Sequence, residues 1–439
     1  MRRRMHRLLA PTLALALLAA LAWSAPALAA DGITRGTIYK DGPDNRYLLG
    51  GDWLFRLDYG RGLKQRFQRA TTTDGWAKTT VPSAWNVGDN SAASMTGTVA
   101  WYRKDFRLPD RRSRMDWLVR FESVNYRVQV WLNGRPIGRN TGAYLPWDLR
   151  LPRSLLRRSA TNRLVMRVDN RRLRTDFPPS GLTGSGDPAG GWWNYGGLLR
   201  EVYLQRVDRV DVTSLVVRPD LPCATCDASV LARVVVRNYA DSATSVRISG
   251  SFGGRPINLG TRRVAARDFK SFQTRIRVPK PRLWSPASPY LYDARFTVRA
   301  GGRRVLGYSL KSGIRSIKVS GGKLTLNGRA LNLRGVGLHE DDPQRGFAID
   351  SARRAQIAAQ AKELGATAIR SHYPLHPEMH ELADRIGLLV WSEIPVYAIK
   401  TKYLKREAVR KLAARELESN ILANQNHPSI MLWSIGNEL

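Results

Sequence analysis

Cysteine is almost absent from this sequence: only Cys223 and Cys226 occur among 439 residues. A chain with so few cysteines cannot depend on a framework of disulfides. The pair has C-x-x-C spacing, but no further ligands lie nearby to complete a four-ligand zinc site. A thioredoxin-like redox site is disfavoured, because no strand–helix–strand pattern surrounds the pair. In an exported chain these two cysteines could form a small local disulfide or remain as free thiols, and the sequence leaves both alternatives open.

Long uncharged apolar runs are missing beyond the N-terminus, so no segment qualifies as a membrane span of ~18 or more residues. The N-terminus has the pattern of a secretory signal. Arginines at positions 2, 3, 4 and 7 precede an apolar stretch at 8–21, and Ala27-Leu28-Ala29 has the small residues of a cleavage site. We therefore expect residues 1–30 to be a signal peptide and the protein to be secreted, extracellular or periplasmic.

Acidic residues are scarce: 36 Asp and Glu stand against 71 Lys and Arg, which gives a formal net charge of +35. Such an excess can attract nucleic acid, anionic surfaces or acidic sugars. The arginines are scattered instead of clustered, so no nucleic-acid partner is expected. Binding to extracellular polyanions stays open as a minor alternative, with steep salt dependence as its signature.

Two β-rich regions follow the signal. Residues 31–208 contain short alternating apolar runs separated by turn signals such as Asn133-Gly134, which predicts a β-sandwich of jelly-roll type. Residues 209–318 repeat the pattern on a smaller scale, which predicts a seven-strand immunoglobulin-like sandwich. The proline-rich segment 279–289 carries Trp284 and is predicted to cross the surface.

From residue 319 onward strands and helices alternate. Strands are predicted at 331–338, 366–370, 388–391 and 430–435, and helices at 352–364, Pro377–Ile386 and Glu407–Asn424. Asp350 and Ser351 are suited to begin the first helix, while Gly365 and Gly387 are suited to end the first two. Residues 319–439 therefore correspond to the N-terminal half of a (β/α)8 TIM barrel, since a complete barrel needs ~250 residues.

Polar side chains follow all four predicted barrel strands. They are His339, Arg370 with His372, Glu393, and Asn437-Glu438. The carboxyl ends of barrel strands meet at one face, where the active sites of this fold lie. Any one of these residues could be an ordinary ion-pair partner, but four consecutive strands that end in such groups favour a functional site.

Several segments resemble the signatures of family 2 glycoside hydrolases, which include β-galactosidases, β-glucuronidases and β-mannosidases. In the third region these segments are Arg334-Gly335-Val336-Gly337-Leu338-His339-Glu340-Asp341, Arg370-Ser371-His372-Tyr373-Pro374, Asn426-His427-Pro428-Ser429 and Trp433-Ser434 with Asn437-Glu438. In the β regions they include Trp101-Tyr102-Arg103, Val130-Trp131-Leu132-Asn133-Gly134, and Asn194-Tyr195-Gly196-Gly197 with Arg200-Glu201-Val202. The resemblance extends over the whole chain after the signal.

The resemblance implies a sugar-binding-like jelly roll, an immunoglobulin-like sandwich and a catalytic barrel, in that order. It also implies retaining hydrolysis by two carboxylates ~5–5.5 Å apart in an enclosed site. Glu438 would be the general acid/base, Asn437 would bond the sugar 2-hydroxyl, and Arg370 would orient the nucleophile carboxylate. By the same resemblance His339 and His372 would line the sugar pocket, and Glu393 would support it.

The family's nucleophile lies on a later barrel strand, beyond Leu439, so we expect an N-terminal fragment that does not hydrolyse glycosides alone. Tyr397 and Ile399 occupy the positions of the galactosidase magnesium ligands, so no metal or other cofactor is expected. The expected substrate is a β-glycoside, with β-glucuronidase and β-galactosidase as leading activities and a slight preference for a uronide. The alternative is a non-catalytic secreted carbohydrate-binding or scaffold protein. Family members often oligomerise, so a homo-oligomer is a further expectation.

Overall fold

The computed structural model of the chain describes residues 32–179 and 192–439. The predicted signal peptide at 1–30 and most of the predicted loop at 178–191 lie outside the described residues. Within those residues the chain forms two β-sandwiches followed by a parallel α/β sheet. No helix in the described ranges is long and apolar enough to cross a membrane.

The first sandwich packs two antiparallel sheets around one apolar core. Its strands are β1 (Ile33–Arg35), β2 (Gly42–Pro43), β3 (Arg46–Leu49), β4 (Trp53–Leu57), β5 (Ala77–Thr79), β6 (Ser83–Ala84), β7 (Val99–Phe106), β8 (Met115–Phe121), β9 (Val124–Asn125), β10 (Arg127–Leu132), β11 (Arg135–Thr141), β12 (Trp147–Leu151), β13 (Asn162–Asp169), β14 (Gly197–Leu198) and β15 (Val202–Asp208), with a short helix α1 (Ala92–Thr96). One sheet has the order β1-β3-β15-β8-β12 and the other β11-β10-β13-β7-β4-β5.

The hairpin between β10 and β11 shows how the sequence determines this packing. Val128, Val130 and Leu132 alternate toward the core and are buried. Asn133 and Gly134 then turn the chain with φ angles of 51° and 82°, and Leu132 pairs with Arg135. Asn-Gly tolerates two consecutive positive φ angles, so it forms the two-residue turn that sets this register.

The second sandwich has seven main strands. Three of them continue a sheet of the first sandwich through a β15–β16 pairing, and four form the other sheet. The strands of this region are β16 (Val210–Asp220), β17 (Ala228–Asn238), β18 (Thr244–Phe252), β19 (Arg255–Val264), β20 (Phe269–Val278), β21 (Trp284–Ser285), β22 (Ser288–Pro289), β23 (Tyr292–Ala300) and β24 (Arg303–Ser312). The sheets have the orders β16-β17-β20 and β19-β18-β23-β24, and β2 of the first sandwich adds to the edge at β24. A disulfide joins Cys223 to Cys226 in the β16–β17 connection.

The third region contains a parallel sheet in the order β28-β29-β30-β31, with helices packed on it. Its elements are β25 (Ile317–Ser320), β26 (Lys323–Leu326), β27 (Arg329–Ala330), β28 (Gly335–Gly337), α2 (Ser351–Glu363), β29 (Ala368–Ser371), α3 (Pro377–Ile386), β30 (Leu389–Glu393), α4 (Thr401–Leu404), α5 (Glu407–Asn424) and β31 (Ile430–Ser434). The Asp350 side chain caps α2 by accepting the Arg353 N–H, and Gly387 ends α3 at φ 71°. These four strands with their helices are half of a TIM barrel.

The segment 279–289, predicted to cross the surface, has exposed residues, but its Trp284 turns inward. Its side chain is fully buried and packs against Ala368 and Leu389, which begin barrel strands β29 and β30. Its Nε1 donates to the carbonyl oxygen of Asp384 at 2.8 Å. The surrounding prolines suggested exposure, but the segment lies where the second sandwich meets the barrel sheet, so the indole is enclosed by both.

Candidate active site

The C-terminal edge of the parallel sheet brings together the polar residues that were predicted from its four strands. His339 follows β28, and Arg370 lies near the end of β29. Glu393 is the last residue of β30, and Asn437 follows β31. The strands are adjacent and parallel, so these side chains share one face of the sheet edge.

Glu393 is the centre of this group. Its side chain is fully buried, and its Oε2 accepts hydrogen bonds from Arg370 Nη2 at 3.0 Å and from Ser434 Oγ at 2.8 Å. Its Oε1 lies 2.7 Å from His372 Nδ1. A buried carboxylate is costly unless it is paired and hydrogen-bonded, and these three partners compensate its burial.

Arg370 links Glu393 to the predicted sugar-binding amide. The same Nη2 that contacts Glu393 also donates to Asn437 Oδ1 at 2.7 Å. The guanidinium lies 4.9 Å from the centre of a Trp391 ring, which holds it against the sheet. Among the described residues, the carboxylate that Arg370 orients is therefore Glu393.

Aromatic and imidazole rings form the other wall of the site. The rings of His339 and His372 lie 6.1 Å apart, and the Tyr397 ring lies 5.6 Å from His372. Tyr373 Oη accepts the Glu340 N–H at 2.9 Å and lies 3.4 Å from His339 Nδ1. Burial lowers the pKa of His339 below its usual 6.5, which favours the neutral ring.

Glu438 occupies the open end of this edge. The residue is exposed, adopts a φ of 51°, and makes no hydrogen bond or ion pair with the residues at 32–179 and 192–439. Its neighbour Asn437 is half-buried and tied to Arg370. The described residues thus fix the amide before Glu438, but they do not enclose the carboxylate as the resemblance implied.

A pocket of about 370 Å³ lies along the inner face of the sheet beside these groups. His339, Arg370 and His372 contribute to its rim, while Val336 and Met431 are among the apolar residues that line it. An apolar cavity with a few convergent polar groups is the usual form of a small-molecule site.

Arg200, from the first sandwich, supports the site and was not predicted to do so. Its Nη2 contacts Glu340 Oε2 at 3.0 Å and donates to the Pro374 carbonyl at 2.9 Å. Its Nη1 donates to the Tyr144 carbonyl at 2.9 Å. One buried guanidinium therefore joins the loop after β28 to the loop after β29. The Arg200-Glu201 motif was the available signal, but sequence alone does not reveal its partners.

Glu201 holds the other end of the same loop. Its Oε2 lies 2.7 Å from His376 Nε2, and its Oε1 lies 3.6 Å from Arg354 Nη2 on α2. His376 in turn begins α3, because its Nδ1 accepts the Glu378 N–H. The first sandwich thus fixes the segment that carries His372.

The Asn426-His427 motif lies at the opposite end of the barrel strands. Asn426 exchanges hydrogen bonds with the backbone of Leu215 and Val217 in the second sandwich. His427 Nδ1 lies 2.6 Å from Asp384 Oδ2, and both side chains are buried. Side chains at the N-terminal ends of barrel strands usually serve stability, and these contacts are of that kind.

The described residues contain no group of three or more His, Cys, Asp or Glu side chains that could hold a metal ion. Tyr397 and Ile399, at the positions considered for magnesium, face an imidazole and an apolar cluster respectively.

Two β-sandwiches, followed by a half barrel that carries acidic, amide and imidazole groups at its C-terminal edge, define the class of multidomain glycoside hydrolases. Three family descriptions match successive parts of the chain. They are "Beta-galactosidase second all-beta domain" at 68–173, "Glycosyl hydrolases family 2" at 210–315, and "Glycosyl hydrolases family 2, TIM barrel domain" at 317–439. The chain belongs to family 2 of the glycoside hydrolases.

Some relatives of the chain are named β-galactosidases and others β-glucuronidases. A β-galactosidase of Thermoanaerobacter pseudethanolicus is 27% identical over 77% of this chain and 44% of its own length. A β-glucuronidase of Paenibacillus borealis is 26% identical over 89% of this chain and 67% of its own. The solved β-glucuronidase of Ruminococcus gnavus in complex with D-glucuronic acid superposes with a TM-score of 0.74 at 26% identity, over 93% of this chain and 69% of its own. The chain spans about half the length of several curated relatives, such as 44% and 46% for two of them.

Proposed function

We propose that the protein to which this sequence belongs is a retaining exo-β-glycosidase that removes a terminal glucuronic acid or galactose residue. The observation that carries the proposal is Glu393, buried among Arg370, His372 and Ser434, with Arg370 also bound to Asn437. This network supports the proposal that the Asn437-Glu438 pair belongs to the active face of a family 2 barrel.

Glu438 is proposed as the general acid/base. It would protonate the glycosidic oxygen in the first step and activate water in the second, while a second carboxylate acts as nucleophile. Asn437, oriented by Arg370, would bond the sugar 2-hydroxyl. His339 and His372 would line the sugar pocket, and Glu393 would keep Arg370 and His372 in place.

The preference for a uronide is the finer part of the proposal. The net charge of +35 favours acidic substrates, and relatives named β-glucuronidase support the same class. Export by the segment at 1–30 would place the enzyme outside the cytoplasm, where acidic glycans occur.

The test compares nitrophenyl β-D-glucuronide with nitrophenyl β-D-galactoside as substrates of the complete gene product. Glu438→Gln is expected to lower turnover of methyl glycosides far more than that of dinitrophenyl glycosides, because a good leaving group needs little protonation. Glu418→Gln, at an exposed position on α5, is the matched control. Equal losses on both leaving groups would refute the role of Glu438.

The 439-residue chain by itself is proposed to bind sugar without turnover. The described sheet has four strands, and Glu393 is already occupied by three partners. Binding of nitrophenyl β-D-glucuronide without its hydrolysis would agree with this, and it is also what the alternative, a carbohydrate-binding protein, requires. Turnover by this chain that Glu438→Gln abolishes would contradict the proposal.

A further inference from the structure

A second cleft opens where the two sandwiches and the barrel meet. We call it the junction cleft; its volume is about 580 Å³, and the residues that line it include Leu118, Gln205, Asp211, Arg237 and Tyr239. None of the six predicted active-site residues lines it. Clefts of this size at domain interfaces are a common location for small-molecule sites.

Asp211 faces the cleft with unused hydrogen-bonding capacity. The residue is 3% exposed, and its Oδ2 accepts a hydrogen bond from Gln205 Nε2 at 2.7 Å. Its Oδ1 is buried without a partner in the described part of the chain. Burial, with the nearby Asp148 carboxylate, raises the pKa of Asp211 to about 7, although the Val212 N–H, Arg120 and Gln205 oppose the shift. Buried polar atoms are nearly always satisfied, so a donor from outside the protein is expected at Oδ1.

Arg237 stands directly opposite Asp211 in the β16–β17 pairing, yet the two form no ion pair. The Arg237 guanidinium lies instead 5.0 Å from the Tyr239 ring centre and 4.9 Å from that of Phe269. Its Nε is buried without an acceptor among the described residues. The cleft therefore presents an available cation and an available acceptor side by side.

These lining residues define the chemistry of the ligand. An anionic group suits Arg237, hydroxyl donors suit Asp211, and the Tyr239 ring offers a flat apolar surface. A neutral sugar would leave Arg237 unpaired, and a simple carboxylate would leave Asp211 unpaired. We propose that the junction cleft binds a small sugar acid, a uronic or aldonic acid, at a site separate from the catalytic face. This inference does not rest on the proposed hydrolytic function.

The test is calorimetric titration of D-glucuronate into the 439-residue chain, with D-glucose and acetate as probes that each lack one of the two groups. D-Glucuronate is expected to bind and both controls to bind much more weakly. Asp211→Asn and Arg237→Met should each weaken binding by at least about tenfold, as expected for loss of a charged hydrogen bond. Asp220→Asn and Arg233→Ala, at exposed positions on the same two strands, should not change it.

The candidate active site could bind the same probe, so the titration is repeated with His372→Ala. Binding that persists in this variant and is weakened by the Asp211 and Arg237 substitutions supports the junction cleft. Binding that is lost in His372→Ala but unaffected by the cleft substitutions overturns the proposal, and so does the absence of any binding at millimolar D-glucuronate.

Discussion

Glu393 determines where the other polar side chains of the candidate site lie. Its two carboxylate oxygens contact Arg370 in β29, His372 just after β29, and Ser434 in β31. Glu393→Gln keeps the shape of the side chain but removes the negative charge to which these donors bind. We expect it to lower the free energy of unfolding by roughly 1–3 kcal/mol, measured by urea denaturation. The exposed Glu418→Gln should change it by less than about 0.5 kcal/mol, and an equal loss in both variants would contradict the role of Glu393.

His427 makes stability depend on pH. Burial lowers its pKa, but the charge and hydrogen bond of Asp384 outweigh this and raise the pKa to about 9. A pKa raised above the ordinary 6.5 means that the stabilisation is complete below pH 6.5 and disappears as the pH rises through 9. We expect a loss on the order of 2–3 kcal/mol over this window, measured by urea unfolding.

Asp384→Asn is the control for this effect. It should reduce stability at pH 6 and flatten the decline between pH 6.5 and 9, because the charge that raises the histidine pKa is gone. An unchanged slope in this variant would show that other groups cause the dependence.

Among the elements, the three helices predicted in the barrel region agree with the structure to within one residue, whereas the short helices α1 and α4 were not predicted. The first barrel strand was also harder to predict. Helices at Pro377–Ile386 and Glu407–Asn424 agree with the sequence-based prediction, because caps, proline and glycine act locally. The strand predicted at 331–338 is regular only at Gly335–Gly337, since pairing depends on its neighbour. That the candidate-site residues lie together could be predicted from their places after strands. Arg200 could not, because its partner Glu340 is 140 residues away.

The glycines that end α2 and α3 provide a matched test of helix termination. Gly387 has φ 71°, and a Cβ there would clash with the Pro286 carbonyl; Gly365 has φ 72° with open space around it. Gly365→Ala should lower the free energy of unfolding by about 1 kcal/mol, because alanine disfavours the positive φ angle at this position. Gly387→Ala should lower the free energy of unfolding by at least ~1 kcal/mol more than Gly365→Ala does, since the Pro286 backbone must also move. Equal losses in thermal or urea unfolding would contradict the importance of this close approach.

The loop between β29 and α3 is held by the first sandwich through Arg200 and Glu201. Glu201→Gln should weaken its contact with His376 and loosen the segment that carries His372. The expected result is faster amide hydrogen exchange at residues 371–377, with little change in α5. Exchange that rises equally throughout the barrel would indicate general destabilisation instead.

At the scale of the whole molecule, Trp284 joins the second sandwich to the barrel sheet. Trp284→Ala should lower the free energy of unfolding by roughly 3–5 kcal/mol. It should also make the second sandwich and the barrel sheet unfold in distinct calorimetric transitions. Trp76→Ala, at a half-buried position in the first sandwich, should leave that coupling intact. A single sharp transition in Trp284→Ala would contradict the coupling.

The N-terminal segment around β2 belongs to all three parts of the fold. Gly42 and Pro43 pair with β24, and Glu381 on α3 accepts the N–H groups of Lys40 and Asp41 at 2.6 and 2.7 Å. A ribosome makes residue 40 long before residue 381. The backbone N–H groups of Lys40 and Asp41 therefore cannot form these hydrogen bonds until the barrel region has been synthesised. In a nascent chain this segment stays accessible to chaperones and proteases until then.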